Sequence, residues 1–118
     1  MTPLHLAAGF KSSATVVNTL VQAGANVDAL NSDQQSPLHY ASMVNPAIVP
    51  VLIGGGCKVN LLTKWQNSPL YLAAKFSKDR SAVAALMSAA ADPHLGKSPL
   101  TEPYVSDEMK DYIRSLSK

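Results

Sequence analysis

Side chains able to do covalent or metal chemistry are few in this chain of 118 residues: three histidines, His5, His39 and His94, and one cysteine, Cys57. A zinc site needs several His or Cys ligands at close spacing, and His94 has no second one near it. Cys57 follows Gly54-Gly55-Gly56 and precedes Lys58. A neighbouring ammonium can lower a thiol pKa and make a nucleophile. The competing reading is that Cys57 replaces the alanine of a Gly-Ala pair and packs as a small apolar group, and that is the expectation here. The glycine triplet is not read as a phosphate cradle, because it follows an apolar helical stretch, where the helix dipole has the wrong sign for an anion. No Gly-x-Ser-x-Gly elbow is present. The expectation is a non-enzyme with no cofactor and no metal.

His5 and His39 sit at one place in a recurring string. Thr2-Pro3-Leu4-His5-Leu6 returns as Ser36-Pro37-Leu38-His39-Tyr40, Ser68-Pro69-Leu70-Tyr71-Leu72 and Ser98-Pro99-Leu100-Thr101, with starts 34, 32 and 30 residues apart. A shared place argues for a shared structural job, the ring hydrogen-bonding to the start of its own unit or the next. A period in this range marks a solenoid of stacked units. A second string repeats as well: Val21 to Leu30, Ile53 to Leu62 and Ser88 to Leu95 each follow an apolar stretch, with Gly24, Gly56 and Ala90 in matching places.

Each unit has a physical reading. Thr or Ser before Pro starts a helix, the hydroxyl accepting from an orphan N–H and the proline fitting the first turn. The Ala pairs Ala7-Ala8 and Ala73-Ala74 allow close helix approach. A second apolar helix follows over 14–22, 46–53 and 81–89, and Gly24 and Gly56 suit the left-handed position that stops it. With these strings in place, the chain resembles the ankyrin repeat, whose marks are a Thr-Pro-Leu-His start, a Leu-Ala-Ala helix and a Gly-Ala-Asp-Val-Asn stretch. Thr2 to Ala8 match the first mark and Ala23 to Ala29 the last. The resemblance implies an all-α solenoid of three full helix–turn–helix units and a degenerate C-terminal capping unit. The whole of 1–118 is then one domain, with units at about 1–33, 34–65 and 66–95 and the cap at 96–118. A lone helix pair cannot bury both faces, and stacking solves that.

Four departures carry expectations. Pro50 inside the second helix of unit two predicts a kinked or late-starting helix. Gln34 and Gln66 stand where the family usually has glycine in the hairpin, so the tips are expected to lack an easy positive φ and to be less regular. The third hairpin is truncated and Pro103 breaks the first helix of unit four. A final helix with Ser106 as N-cap, Asp107 and Glu108 at its positive end, and Val105, Met109, Tyr112, Ile113 and Leu116 on one stripe is read as the seal of the stack. No matching polar cap stands at the N-terminus, which is read as a piece of a longer array or a first unit left exposed or covered by a partner.

The net charge of +2 with scattered Lys and Arg argues against a nucleic-acid face. No apolar run has membrane-span length, and a single cysteine fits an intracellular, cytoplasmic setting. The family resemblance implies a protein partner, met by the hairpin tips and the concave helix face. By position these are Phe10, Asp33, Gln35, Met43, Lys64, Trp65, Asn67, Lys75 and Phe76. Trp65 lies in a polar loop with no periodicity to carry it inward; the competing reading folds it onto its hairpin and uses Phe10 and Phe76 to fill enlarged turns. Asn60 shares a repeat position with Asp28 and His94 that is usually structural, and it is a candidate for asparaginyl hydroxylation. A monomer is expected, with dimerisation through the uncapped N-terminal end as the variant. The alternative function is a structural or docking segment excised from a larger ankyrin scaffold or adaptor.

Overall fold

The computed structural model describes residues 2–9, 14–77, 79–103 and 105–116. Unit one is α1 (Pro3–Gly9) and α2 (Ala14–Gln22); unit two is α3 (Pro37–Val44), a 3-10 turn (Pro46–Ile48) and α4 (Val49–Gly54). Unit three is α5 (Pro69–Leu72), a π-helical segment (Ala73–Ser77) and α6 (Arg80–Ser88), and α7 (Asp107–Leu116) closes the chain. No strand occurs among the described residues. First helices pack on first helices and second on second, α1 on α3 on α5 and α2 on α4 on α6, with α7 against α6. Leu4, Leu38 and Leu70 are all fully buried, as are Val17, Val49 and Val83 one helix later. Identical sequence positions therefore occupy identical places in one continuous core, which is what a repeat must do to hide faces that a single hairpin leaves wet.

The Ser/Thr-Pro-Leu-His string works as a capping box with histidine in the role usually taken by glutamate. Ser36 Oγ accepts from the His39 N–H, and the Ser36 N–H donates to His39 Nδ1 at 2.9 Å. Since Nδ1 accepts, Nε2 carries the proton and donates forward, to Leu61 O at 2.8 Å and Asn67 O at 3.1 Å in the next hairpin. His5 does the same, accepting from the Thr2 N–H and donating to Gln35 O at 2.8 Å. The shared structural job expected of these two rings is thus observed.

Two further ties join the units. At the helix exits, the Lys58 N–H donates to Asp28 Oδ1 at 2.7 Å and the Asp92 N–H to Asn60 Oδ1 at 2.8 Å. At the tips, the Lys64 N–H donates to Asp33 O and the Lys97 N–H to Gln66 O.

Pro50 has the predicted effect. The 3-10 turn replaces the first turn of the second helix, and α4 begins at Val49 with Pro50 in its first turn, where the missing N–H costs little. The C-terminal helix is capped as expected, the Met109 N–H donating to Ser106 Oγ at 3.1 Å, with Val105, Met109 and Ile113 buried.

The expectation of irregular tips is corrected. Gln34 and Gln66 adopt φ of +60° and +66°, and the hairpins are regular. Each tip is tied by a polar side chain at its base. Asn31 Oδ1 accepts from the N–H groups of Asp33 and Gln35, and Thr63 Oγ1 from those of Trp65 and Asn67. These bonds hold the glutamines in a left-handed conformation that a non-glycine residue adopts only when its surroundings impose it. Gln34→Gly is expected to raise the unfolding free energy by about 0.5–1 kcal/mol, measured by urea denaturation.

Candidate functional site

The second hairpin tip is built from Thr63 upward. Thr63 is buried and its N–H donates to Asn67 O at 3.1 Å, closing the loop, while the Gln66 N–H returns to Thr63 O at 2.9 Å. Trp65 stands at the apex and is 46 % exposed. The Lys64 ammonium lies 4.7 Å from the centre of its ring and 2.6 Å from Asp33 Oδ1 of the preceding tip. One cation therefore holds the indole on one side and the neighbouring hairpin on the other. An exposed ion pair adds little stability, but it restricts the rotamers of Lys64 and Trp65 before anything binds. The cation–π contact acts in the same direction.

The other expected positions divide by what they touch. Phe76 is half exposed on the π-helical segment, with the Lys75 ammonium 5.4 Å from its ring centre. Lys75 also donates to Tyr71 Oη at 3.1 Å and lies 3.9 Å from Glu102. Met43 is half-buried on the first helix of unit two, next to the exposed Val44. Gln35 turns inward: its Oε1 accepts from Asn31 Nδ2 and Tyr40 Oη, and its carbonyl accepts a hydrogen bond from His5 Nε2. Asn67 likewise gives its carbonyl to His39. Phe10 lies outside the described residues.

Asn60 is exposed, yet both ends of its amide are used, Oδ1 by the Asp92 N–H and Nδ2 by Ala90 O at 3.1 Å. The structural reading of that repeat position is the one seen. His94 is exposed, and its N–H donates to Asp92 Oδ1.

Sequence reasoning missed one cluster. Tyr71 replaces histidine in unit three, and its hydroxyl donates to Glu102 Oε2 at 2.7 Å. It reaches forward into the degenerate unit just as His5 and His39 reach into theirs. The signal was present in the pairing of two departures, Tyr for His at position 71 and Glu at 102.

Chemistry at Cys57 is not favoured. The thiol is half-buried, and burial, with the Asp28 carboxylate adding to it, pushes its pKa up to about 12, so the thiolate needed for attack is scarce at neutral pH. Lys58 does not offset this. Among the described residues no three of His, Cys, Asp and Glu group closely enough to hold a metal ion, and no helix is long and apolar enough to cross a membrane.

The family model for ankyrin repeats (3 copies) matches residues 4–97. The chain belongs to the ankyrin repeat family. Its fold is similar to the crystal structure of the human ASB11 ankyrin repeat domain, with a TM-score of 0.83 and 27 % identity. The match covers 98 % of this chain and 53 % of that one, so the chain spans about half the length of the solved domain. No curated protein matches it in sequence. Ankyrin repeats are in general protein–protein interaction modules, and the fold is typically non-catalytic.

Proposed function

We propose that this ankyrin repeat chain is a non-catalytic, intracellular module that binds a protein partner through its hairpin tips and concave helix face. The observation that carries this reading is Trp65: a large aromatic, half exposed at a hairpin apex, held in place by Lys64 and Asp33 rather than by the core. Exposed tryptophans that become desolvated on contact are the residues on which binding energy concentrates. Phe76 and Met43 extend an apolar contact area along the first helices, and Asp33 beside Lys64 and Lys75 gives the surface both signs of charge. Asn60 remains a candidate hydroxylation site; protein isolated from its native cell would carry one added oxygen there by mass spectrometry.

Trp65→Ala is expected to weaken partner binding by about 2 kcal/mol or more while leaving the thermal midpoint nearly unchanged. Affinity capture of wild type and variant side by side, with melting curves on both, checks this. A large loss of stability with the substitution would place Trp65 in the core and overturn the reading. The alternative, a spacing or docking segment within a larger ankyrin scaffold, draws its support from Leu6 and Val16, apolar side chains exposed on unit one.

A further inference from the structure

We infer that the groove between the second helices of units one and two is a self-association surface, taking the same face of a second copy of this chain across a two-fold axis. The groove runs between α2 and α4 and holds about 500 Å³. Thr15, Asn18, Thr19, Gln22, Pro50 and Gly54 line it, and all six are exposed. No lining residue is charged. The sequence accounts for that. Residues 12–27 and 34–57 contain no Asp, Glu, Lys or Arg, so all ten cations and all eight anions lie elsewhere. Charge returns on the next second helix, where Arg80 opens α6 and reaches Glu108 of α7. A surface helix ordinarily turns charged or strongly polar residues to water. Helices α2 and α4 turn out hydroxyls, amides and bare backbone instead. Depletion of charge is the compositional mark of the centre of a protein interface.

Gly54 is an independent sign. Three successive glycines close α4, and the fold explains two of them. Gly56 has φ +87°, in the left-handed region. A Cβ on Gly55 would lie 2.8 Å from Val21 Cγ1, so the approach of α4 to α2 requires its absence. Gly54 has neither reason: its backbone is helical, and a Cβ there would meet nothing within 4 Å. Glycine weakens a helix relative to alanine, and the matched residues Gln22 and Ser88 keep their side chains. What Gly54 supplies is bare backbone on the groove, against which another chain can lie closely.

Charge decides the occupant. A charged partner would lose its hydration here against groups that cannot neutralise it. The occupant is therefore an uncharged face, and a second copy of this one meets the demand. Hydroxyls and side-chain amides each both donate and accept, so the patch is complementary to itself about a two-fold axis. A net charge of +2 puts little repulsion between copies. The groove belongs to the layer of second helices, apart from the hairpin tips. The dimer would thus present two Trp65 apices at once, raising avidity for a partner with two matching sites; that consequence alone rests on the binding role proposed for Trp65.

Sedimentation equilibrium of the full chain, from micromolar to submillimolar concentration, is expected to show reversible monomer and dimer. Asn18→Lys and Asn18→Glu should each weaken the dimer at least about tenfold, whichever sign is introduced. Both should leave the melting midpoint nearly unchanged at a dilution where the parent is monomeric. Trp65 emission should be the same in monomer and dimer, which separates this surface from the hairpin tips. A parent that stays monomeric throughout would overturn the proposal. So would a dimer that both variants leave intact, one that either variant strengthens, or a shift of Trp65 emission on dimerisation. A different protein captured by a monomeric parent and lost with Asn18→Lys would also overturn it, giving the groove to a foreign partner. None of these results bears on whether Trp65→Ala weakens partner binding, so the two proposals fail separately.

Discussion

His39→Ala is expected to lower the unfolding free energy by about 3–5 kcal/mol, a large part of the roughly 5–15 kcal/mol that a domain of this size has. The ring is fully buried in the central unit. Removing it leaves a cavity beside α3. It also strands the Ser36 N–H, which donates to Nδ1, and the Leu61 carbonyl, which accepts from Nε2, and takes from the Asn67 carbonyl one of its two donors, leaving it the Thr63 N–H. One side chain thus caps its own helix and fastens the next hairpin, and both functions fail together. His5→Ala should cost less than half as much. Its ring serves Thr2 and a single forward carbonyl at the edge of the stack. Urea denaturation of both variants checks the ratio; equal losses would mean that the forward ties carry no energy.

The same histidine sets a pH dependence. Burial holds the His39 pKa below its ordinary value of 6.5; its two carbonyl partners oppose this shift in part, and a charge on His5 would add to it. The unfolded chain therefore binds a proton more readily than the folded one. The stabilisation is complete above 6.5 and declines as pH falls from 6.5 through the folded value.

Gly96→Ala is expected to destabilise the chain by about 2–3 kcal/mol. Gly96 has φ +59°, in the left-handed region, and an added Cβ would collide with the carbonyl oxygen of Gln66 and lie 2.8 Å from Leu62 Cδ2. The Gln66 carbonyl is itself the acceptor for the Lys97 N–H at 2.9 Å. The truncated third loop can therefore lie against the second hairpin only because residue 96 has no side chain. The loss should be concentrated in the C-terminal part, with faster amide exchange in α7 and little change in α3. Uniform loss across the stack, or none at all, would show that this contact does not hold the end of the array. The matching position in the second hairpin is Gln66, which is tolerated at positive φ because its side chain points into solvent.

Most of the architecture was legible because it is written several times. A capping box, an alanine pair and a helix-stopping glycine recur in register, and each copy confirms the others. Pro50 was legible for a local reason: a proline without an N–H interrupts the helix ladder, so the helix had either to kink or to begin later, and it begins later. What was not legible was imposed by tertiary contacts. Nothing in the residues around Gln34 announces a left-handed backbone; that follows from Asn31 binding two N–H groups at once. The two extra residues in unit three were readable as an enlarged turn, but not that they would be taken up as a π-helical segment over Ala73–Ser77, which leaves Phe76 facing solvent. Gln35 and Asn67 look like tip residues in sequence, yet their carbonyls belong to the hairpin base because histidines one unit back need acceptors. The prominence of Trp65 was readable from its polar neighbours, whereas its fixation by Lys64 and Asp33 depends on two tips lying side by side.

The chain has a single tryptophan, so its fluorescence reports on the hairpin apex alone. In the free, folded protein the emission should sit close to that of a solvated indole and be readily quenched by acrylamide, with only a small red shift on unfolding. Added partner should move it to the blue and shield it. Blue-shifted emission that resists quenching in the free protein would contradict an exposed binding apex and return Trp65 to the core.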